Sequence, residues 1–321
     1  MEISFFEKIV KILNLGQLTS SPQKLTGGLT HQMYAITTDK NKYAIKILNP
    51  EIMKRPTAMH NFKRAQQLEL ILQEHGLPII PALIFNQKKM QKIDDIYFYV
   101  YDYYQGKSLK QEQIDKVHCQ KISSLLAKIH QIEIKKQRYL KEPVNIDWNY
   151  YLRKIEHQEI YDLLEKNVLL LDELLKKANQ AIDKIPPVLT ICHRDMDSKN
   201  VLWLDDECRI IDLECLDYDS PFLEVYELAL SYSGYQEGKI DYELFKAFML
   251  SYFENGGFKI LNWQDIHDCN LGMFEWLVFN LNRLITNDDV DIAFEQVILT
   301  IKQIRYYNEI KDKLMEIIKE I

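Results

Sequence analysis

The stretch His193-Arg194-Asp195-Met196-Asp197-Ser198-Lys199-Asn200 narrows the possible folds of this chain more than any other. It is polar, and it leads into Val201 to Leu204 and then Arg209 to Ile211, two apolar segments that read as a hairpin. Asp212 follows at the end of the second strand. Asp, Ser and Asn are ordinary turn residues, and a lone His-x-Asp would be read as a plain turn between buried strands. The full set is more specific: His193, Asp195, Asn200, the apolar hairpin and Asp212.

That spacing is the one found in a kinase catalytic loop followed by a metal-binding aspartate. Phosphoryl transfer asks a protein for a positioned hydroxyl and for cations that neutralise the phosphates. On this reading Asp195 accepts or orients the acceptor hydroxyl. Asn200 and Asp212 hold magnesium, and Asp212 reaches the phosphates through it.

The rest of the chain is organised around this loop. A first helix spans Glu2 to Leu15, with Ile3, Phe6, Ile9, Val10 and Leu13 on one face. Strands are expected at Gln23 to Thr26, Gln32 to Thr37, Lys42 to Leu48, Ala82 to Asn86 and Ile96 to Tyr103. A helix from Thr57 to Glu74 lies among them. Beyond Gly106 the pattern is mostly helical: Gln111 to Gln131, Trp148 to His157, Ile160 to Lys184, Pro221 to Gly234, Asp241 to Phe253, Trp263 to Leu284, and Asp291 to the end. The expected class is α+β, with a small β-rich lobe over residues 1–105, a larger helical lobe over 106–321, and a hinge near Tyr101 to Gly106.

The first lobe carries the nucleotide features. Gly27 and Gly28 stand between two strands, where a glycine turn lets backbone N–H groups approach phosphates. Alone, such a pair makes only a hairpin turn. It is followed by Tyr43-Ala44-Ile45-Lys46-Ile47-Leu48, an apolar strand with one lysine inside it. A lysine there suits the α- and β-phosphates, and its usual partner is a helical glutamate. Glu69 is the candidate partner and Glu74 the reserve. Tyr101 and Tyr103 fall in the hinge, where backbone groups would meet the purine and the tyrosines would line its pocket or pack beneath it.

Composition excludes several alternatives. A net charge of −7 argues against nucleic acid as the main partner. No segment is long and apolar enough to span a bilayer, and the N-terminal residues do not resemble a signal peptide. Five cysteines without paired spacing read as reduced residues of a cytoplasmic protein. Between Asp205 and Glu295 there are 20 acidic residues against 5 basic ones. Such a segment could attract a cationic substrate, or could be a solvated acidic surface.

Taken together, these motifs resemble the aminoglycoside phosphotransferase and choline kinase superfamily of small-molecule kinases. The resemblance is carried by Gly27-Gly28-Leu29-Thr30, Ala44-Ile45-Lys46, Gly76-Leu77-Pro78-Ile79-Ile80-Pro81, Leu125 to His130, His193 to Asn200 and Ile210 to Glu214. It implies a protein-kinase-like two-lobed fold, magnesium, and transfer of the γ-phosphoryl group of ATP or GTP to a hydroxyl of a small acceptor. Asp195 takes the base position, and Asn200 and Asp212 the metal positions. Many relatives carry the helical glutamate near the position of Ala65, so Gln66 is a further candidate beside Lys46. Glu214 would approach a second metal or cap its turn, and Glu224 or Glu227 would support the catalytic loop. His130, on an apolar helix face, reads as a core residue or brace. Relatives bind the acceptor on a late helix, which points to Glu275 and Trp276. The acceptor expected from the acidic segment is amine-bearing, of aminoglycoside or choline/ethanolamine type. A nucleotide-binding regulatory pseudokinase is the alternative of another class, but Lys46, Asp195, Asn200 and Asp212 are all present.

Overall fold

The computed structural model describes residues 1–25 and 31–321, so Gly27 and Gly28 lie outside the described residues. In chain order the elements are α1 (Ile3–Ile12), β1 (Gln23–Leu25), β2 (Gln32–Thr37), β3 (Lys42–Ile47), α2 (Pro50–Met53) and α3 (Ala58–Glu74). Then come β4 (Gln91–Ile93), β5 (Ile96–Asp102), α4 (Lys116–Ile132), β6 (Ile134–Lys135), α5 (Trp148–Lys154), α6 (Gln158–Ile182) and β7 (Leu189–Cys192). The chain ends with β8 (Val201–Leu204), β9 (Glu207–Ile210), β10 (Asp217–Asp219), α7 (Pro221–Tyr232), α8 (Tyr242–Glu254), α9 (Trp263–Asp268), α10 (Leu271–Thr286) and α11 (Val290–Lys319). The class is α+β, as the sequence predicts. Among the described residues no helix is long and apolar enough to cross a membrane.

The chain divides into two units, residues 1–114 with 191–218, and residues 115–190 with 219–321. The expected division at 105/106 assigns residues 191–218 to the helical lobe. The loop and hairpin at 191–218 group with the N-terminal residues, and backbone bonding is the reason. Ile80 N donates to Ile210 O at 2.9 Å and Ile210 N to Pro78 O at 2.8 Å. Lys107 and Trp203 exchange both of their backbone bonds, at 2.8 and 2.9 Å.

In the first unit an antiparallel sheet runs in the order β1-β2-β3-β5-β4. Strand side chains alternate between faces. Tyr43, Ile45 and Ile47 of β3, with Phe98 and Val100 of β5, pack against Phe5, Phe6, Ile9 and Val10 of α1. Lys46 has the opposite parity and shares its face with its β5 partner Tyr99. A second cluster, Leu48, Ala58, Phe62, Ala82 and Tyr99, brings α3 into the unit, with Tyr101 packed on it. The strand expected at Ala82 to Asn86 does not form. Ala82 N donates to the Glu69 side chain, and Asn86 and Gln87 adopt positive φ of 50° and 63°. The fifth strand is β4 instead.

The second unit is mainly helical. The helix expected from Trp263 to Leu284 is two, α9 and α10. Tyr307 Oη donates to His267 O at 2.9 Å, taking the carbonyl that a continuous helix would offer to Leu271 N. His267 is buried, hydrogen-bonded through Nδ1 to Tyr226 Oη at 2.7 Å and stacked on Tyr307 with centroids 4.0 Å apart.

Candidate active site

The loop from His193 to Asn200 is pinned from both ends. His193 is fully buried. Its Nε2–H donates to Ile211 O at 3.0 Å, and Asp195 N donates to its Nδ1 at 3.3 Å. Ile211 N donates to Asn200 O at 2.9 Å. The backbone just before Asp212 is thus tied to both ends of the loop. Arg194 and Asp212 hold left-handed φ of 68° and 63°. Non-glycine residues adopt that region at a cost, and such residues concentrate at functional sites.

Asn200 is buried and oriented by its own amide. Nδ2 donates to Asp195 O at 2.8 Å and to Asp195 Oδ2 at 2.9 Å. With Nδ2 engaged, Oδ1 is the atom left for a ligand. Asp212 gives Oδ1 to Lys46 at 2.5 Å, which leaves Oδ2. Among the described residues neither of these oxygens takes a hydrogen bond. A donor set of amide and carboxylate oxygens suits a hard divalent cation such as magnesium.

Lys46 is buried on β3, and its partners differ from the expectation. Its ammonium lies 2.5 Å from both Asp212 Oδ1 and Glu214 Oε2. Burial works against the charged form. Glu214 and Asp212 outweigh it and hold the Lys46 pKa above its ordinary value. Glu214 stands on a 3-10 turn, Leu213–Cys215, that starts from the left-handed Asp212. Its second oxygen, Oε1, is 2.9 Å from His31 Nε2. His31 Nδ1 accepts from Asn49 N at 2.9 Å, so the proton sits on Nε2 and points at Glu214. Burial raises the Glu214 pKa, but His31 and Lys46 together bring it below the ordinary glutamate value. Glu214 thus faces His31 through Oε1 and the Lys46 ammonium through Oε2.

Glu69 does not hold Lys46. Its Oε1 lies 3.0 Å from Lys89 Nζ and accepts from Ala82 N at 2.6 Å. Both charged groups are buried, and burial raises the Glu69 pKa despite Lys89 and Ala82. These contacts fix the chain after α3 to that helix. Gln66 instead donates to Tyr99 Oη at 2.6 Å. Tyr101 packs on Tyr99 with centroids 6.2 Å apart. The Tyr103 ring lies 3.7 Å from Lys42 Nζ, and its backbone N–H is taken by Lys42 O at 3.1 Å.

Glu275 and Trp276 belong to the second unit, on α10. Glu275 pairs with Lys141 at 2.7 Å, and the half-exposed Trp276 stacks on Phe279 with centroids 5.4 Å apart. Several acidic residues of the 205–295 segment are matched in the same way: Asp265 by Lys184, Asp268 by Lys311, Glu243 by Lys116 and Asp289 by Arg283. Their basic partners come mostly from outside that segment, so its sequence excess overstates its local charge. His130 is a buried brace, with Nε2 2.7 Å from Glu224 and Nδ1 2.8 Å from Tyr252 Oη. His31 and Lys199 are site residues that periodicity does not mark. Lys199 holds its ammonium 2.9 Å from Asp195 Oδ1.

Known proteins place this geometry in context. No curated protein matches the chain by sequence. Its fold is shared by a spectinomycin phosphotransferase solved with ADP and spectinomycin, 15 % identical at a TM-score of 0.66, covering 99 % of this chain and 98 % of that one. It is also shared by a choline/ethanolamine kinase family protein from Mesorhizobium loti, 14 % identical at 0.62, covering 98 % and 97 %. A third similar structure is an amicoumacin kinase with AMP-PNP and Ca2+, 17 % identical at 0.59, covering 95 % and 93 %. At these identities the likeness speaks for the fold. A family model is more specific: the phosphotransferase enzyme family matches residues 22–248, which include Lys46, Asp195, Asn200, Asp212 and Glu214 but not Glu275 or Trp276. With that match over most of the chain, and the loop, the buried lysine and the aspartate assembled as described, the chain belongs to the phosphotransferase enzyme family.

Proposed function

We propose that this protein is a small-molecule kinase that moves the γ-phosphoryl group of ATP or GTP to a hydroxyl of a small amine-bearing acceptor. The observation that carries this reading is the Lys46–Asp212 contact at 2.5 Å. It couples a buried ammonium, suited to the α- and β-phosphates, to a carboxylate suited to the metal of the same nucleotide. Asn200 and Asp212 would hold magnesium through Oδ1 and Oδ2. When bound, that ion neutralises phosphate charge. Asp195 orients the acceptor hydroxyl and takes its proton as the new P–O bond forms. Tyr101, Tyr103 and the pair Gly27-Gly28 are assigned to the nucleotide, and Glu275 and Trp276 to the acceptor. An amine-bearing acceptor is supported by the similar structures of spectinomycin and choline/ethanolamine kinases.

The test is transfer of the terminal phosphate from ATP and GTP to aminoglycosides, choline, ethanolamine and simple amino alcohols, with Asp195→Asn beside the wild type. Transfer to one acceptor is expected, lost by a factor of about 10²–10⁴ in the variant, while nucleotide still binds. Equal loss of nucleotide binding and transfer in Asp195→Asn would count against the role given to Asp195. Nucleotide binding with no turnover in the wild type would favour a pseudokinase.

A further inference from the structure

Lys199 has no part in the reading above, yet it touches the residue on which that reading depends. It sits in the 3-10 turn Ser198–Asn200, immediately before Asn200. Its ammonium lies 2.9 Å from Asp195 Oδ1 and 3.5 Å from Asp197 Oδ2. Asp195 Oδ2 already takes Asn200 Nδ2 at 2.9 Å. Both oxygens of the carboxylate are therefore occupied by donors, and an acceptor hydroxyl must displace one of them.

The two donors differ in how easily they leave. Asn200 is short and buried, and it is held twice, through Asp195 O and Oδ2. Lys199 is a half-exposed ammonium on a flexible four-carbon stem. Exposed ion pairs of this kind contribute little to stability. It pairs with both Asp195 and Asp197 as an ordinary lysine ammonium. The oxygen that can be vacated is thus Oδ1, and the group that vacates it is a positive charge.

In the proposed reaction a hydroxyl held at Asp195 Oδ1 is the nucleophile that meets the γ-phosphorus. An ammonium displaced from that same oxygen on a flexible stem would turn to the nearest anionic group, the oxygens of the transferring phosphoryl group, where charge spreads in the transition state. We propose that Lys199 is a further catalytic residue, which yields Asp195 Oδ1 to the acceptor hydroxyl and carries its charge onto the transferring phosphoryl group. In this step the acceptor oxygen forms a bond to the γ-phosphorus. The bond from that phosphorus to the β–γ bridging oxygen breaks, and its electron pair leaves on the nucleoside diphosphate. The hydroxyl proton passes to Asp195, and Lys199 neither gains nor loses one. The inference rests on the assignment of Asp195 in the proposed function.

The experiment compares Lys199→Met and Lys199→Arg with wild type and Asp195→Asn in the full chain. It measures terminal-phosphate transfer to an acceptor or to water, nucleotide Kd, acceptor KM and thermal unfolding. Lys199→Met is expected to lower kcat about 10²-fold with nucleotide Kd, KM and unfolding unchanged, and Lys199→Arg to recover most of the loss. A Lys199→Met kcat within about threefold of wild type, with Asp195→Asn inactive, overturns this inference and leaves the kinase reading intact. Loss of kcat together with stability, unrescued by arginine, makes Lys199 a loop brace and also overturns it. A wild type that turns over no nucleotide overturns the kinase reading and this inference with it.

Discussion

Replacing Glu69 by leucine separates the two glutamates that could have served Lys46. Glu69 Oε1 is 3.0 Å from Lys89 Nζ, and both side chains are less than a tenth exposed. Removing one member of a buried pair leaves an uncompensated charge, at a cost of about 3–5 kcal/mol. The Ala82 N–H, now 2.6 Å from Glu69, also loses its acceptor, so the upper part of that range is expected. Adding Lys89→Met should restore most of the stability, because an apolar pair of similar volume often replaces a buried ion pair without loss. Glu214→Gln should behave in the opposite way. The glutamine can still accept from His31, but Lys46 keeps only Asp212 as an anionic partner. Turnover is expected to fall about tenfold or more, equivalent to about 1.4 kcal/mol or more in the barrier, with a smaller shift in unfolding than for Glu69→Leu. Urea unfolding followed by tryptophan fluorescence reads the first effect, and phosphate transfer by the folded variants reads the second. A Glu69→Gln variant that unfolds like the wild type yet loses transfer would make Glu69, not Glu214, the working partner of Lys46.

Two further outcomes follow from the same contacts. Chelation of divalent metal should abolish transfer, and added magnesium should restore it. The magnesium dependence of nucleotide affinity should weaken in Asp212→Asn, and an unchanged dependence would remove Asp212 from the metal site. In the second unit, burial, aided by Lys311, pushes the His267 imidazole down from 6.5 to about 3. The unfolded chain then binds this proton first, so stability is greatest above pH 6.5 and falls as pH drops towards about 3. The loss is about 1.4 kcal/mol per pH unit. Urea unfolding of His267→Phe should show a flatter dependence over that window, and a slope equal to wild type would exclude His267 as its source.

Much of the site was legible because it is local. Asp195, Asn200 and Asp212 are fixed by spacing along one loop and hairpin, and the parity of Lys46 follows from the alternation of a single strand. Other features required the chain to fold back on itself. Asp212 and Lys46 are 166 positions apart, and no periodicity reports which carboxylate will reach a given lysine. Glu69 sits on the helix where a partner is expected. Lys89, in a turn with no sequence signal, captures it instead. Glu214 reaches Lys46 because Asp212 takes a left-handed φ and turns the next residues towards β3. The break between α9 and α10 depends on a tyrosine from α11 taking a carbonyl.

By itself, the sequence determined the α+β class and the spacing of the candidate residues on the loop and the lysine strand, because these depend on residues close together in the chain. The tertiary structure alone decided which charges meet: Lys46 with Glu214 and Asp212, Glu69 with Lys89, and Lys199 with Asp195. Pairing energies depend on distance and burial, and for Lys46 and Glu69 these are set by packing between segments remote in sequence. For Lys199, four residues from Asp195, they are set by a turn whose ends are tied to Ile211.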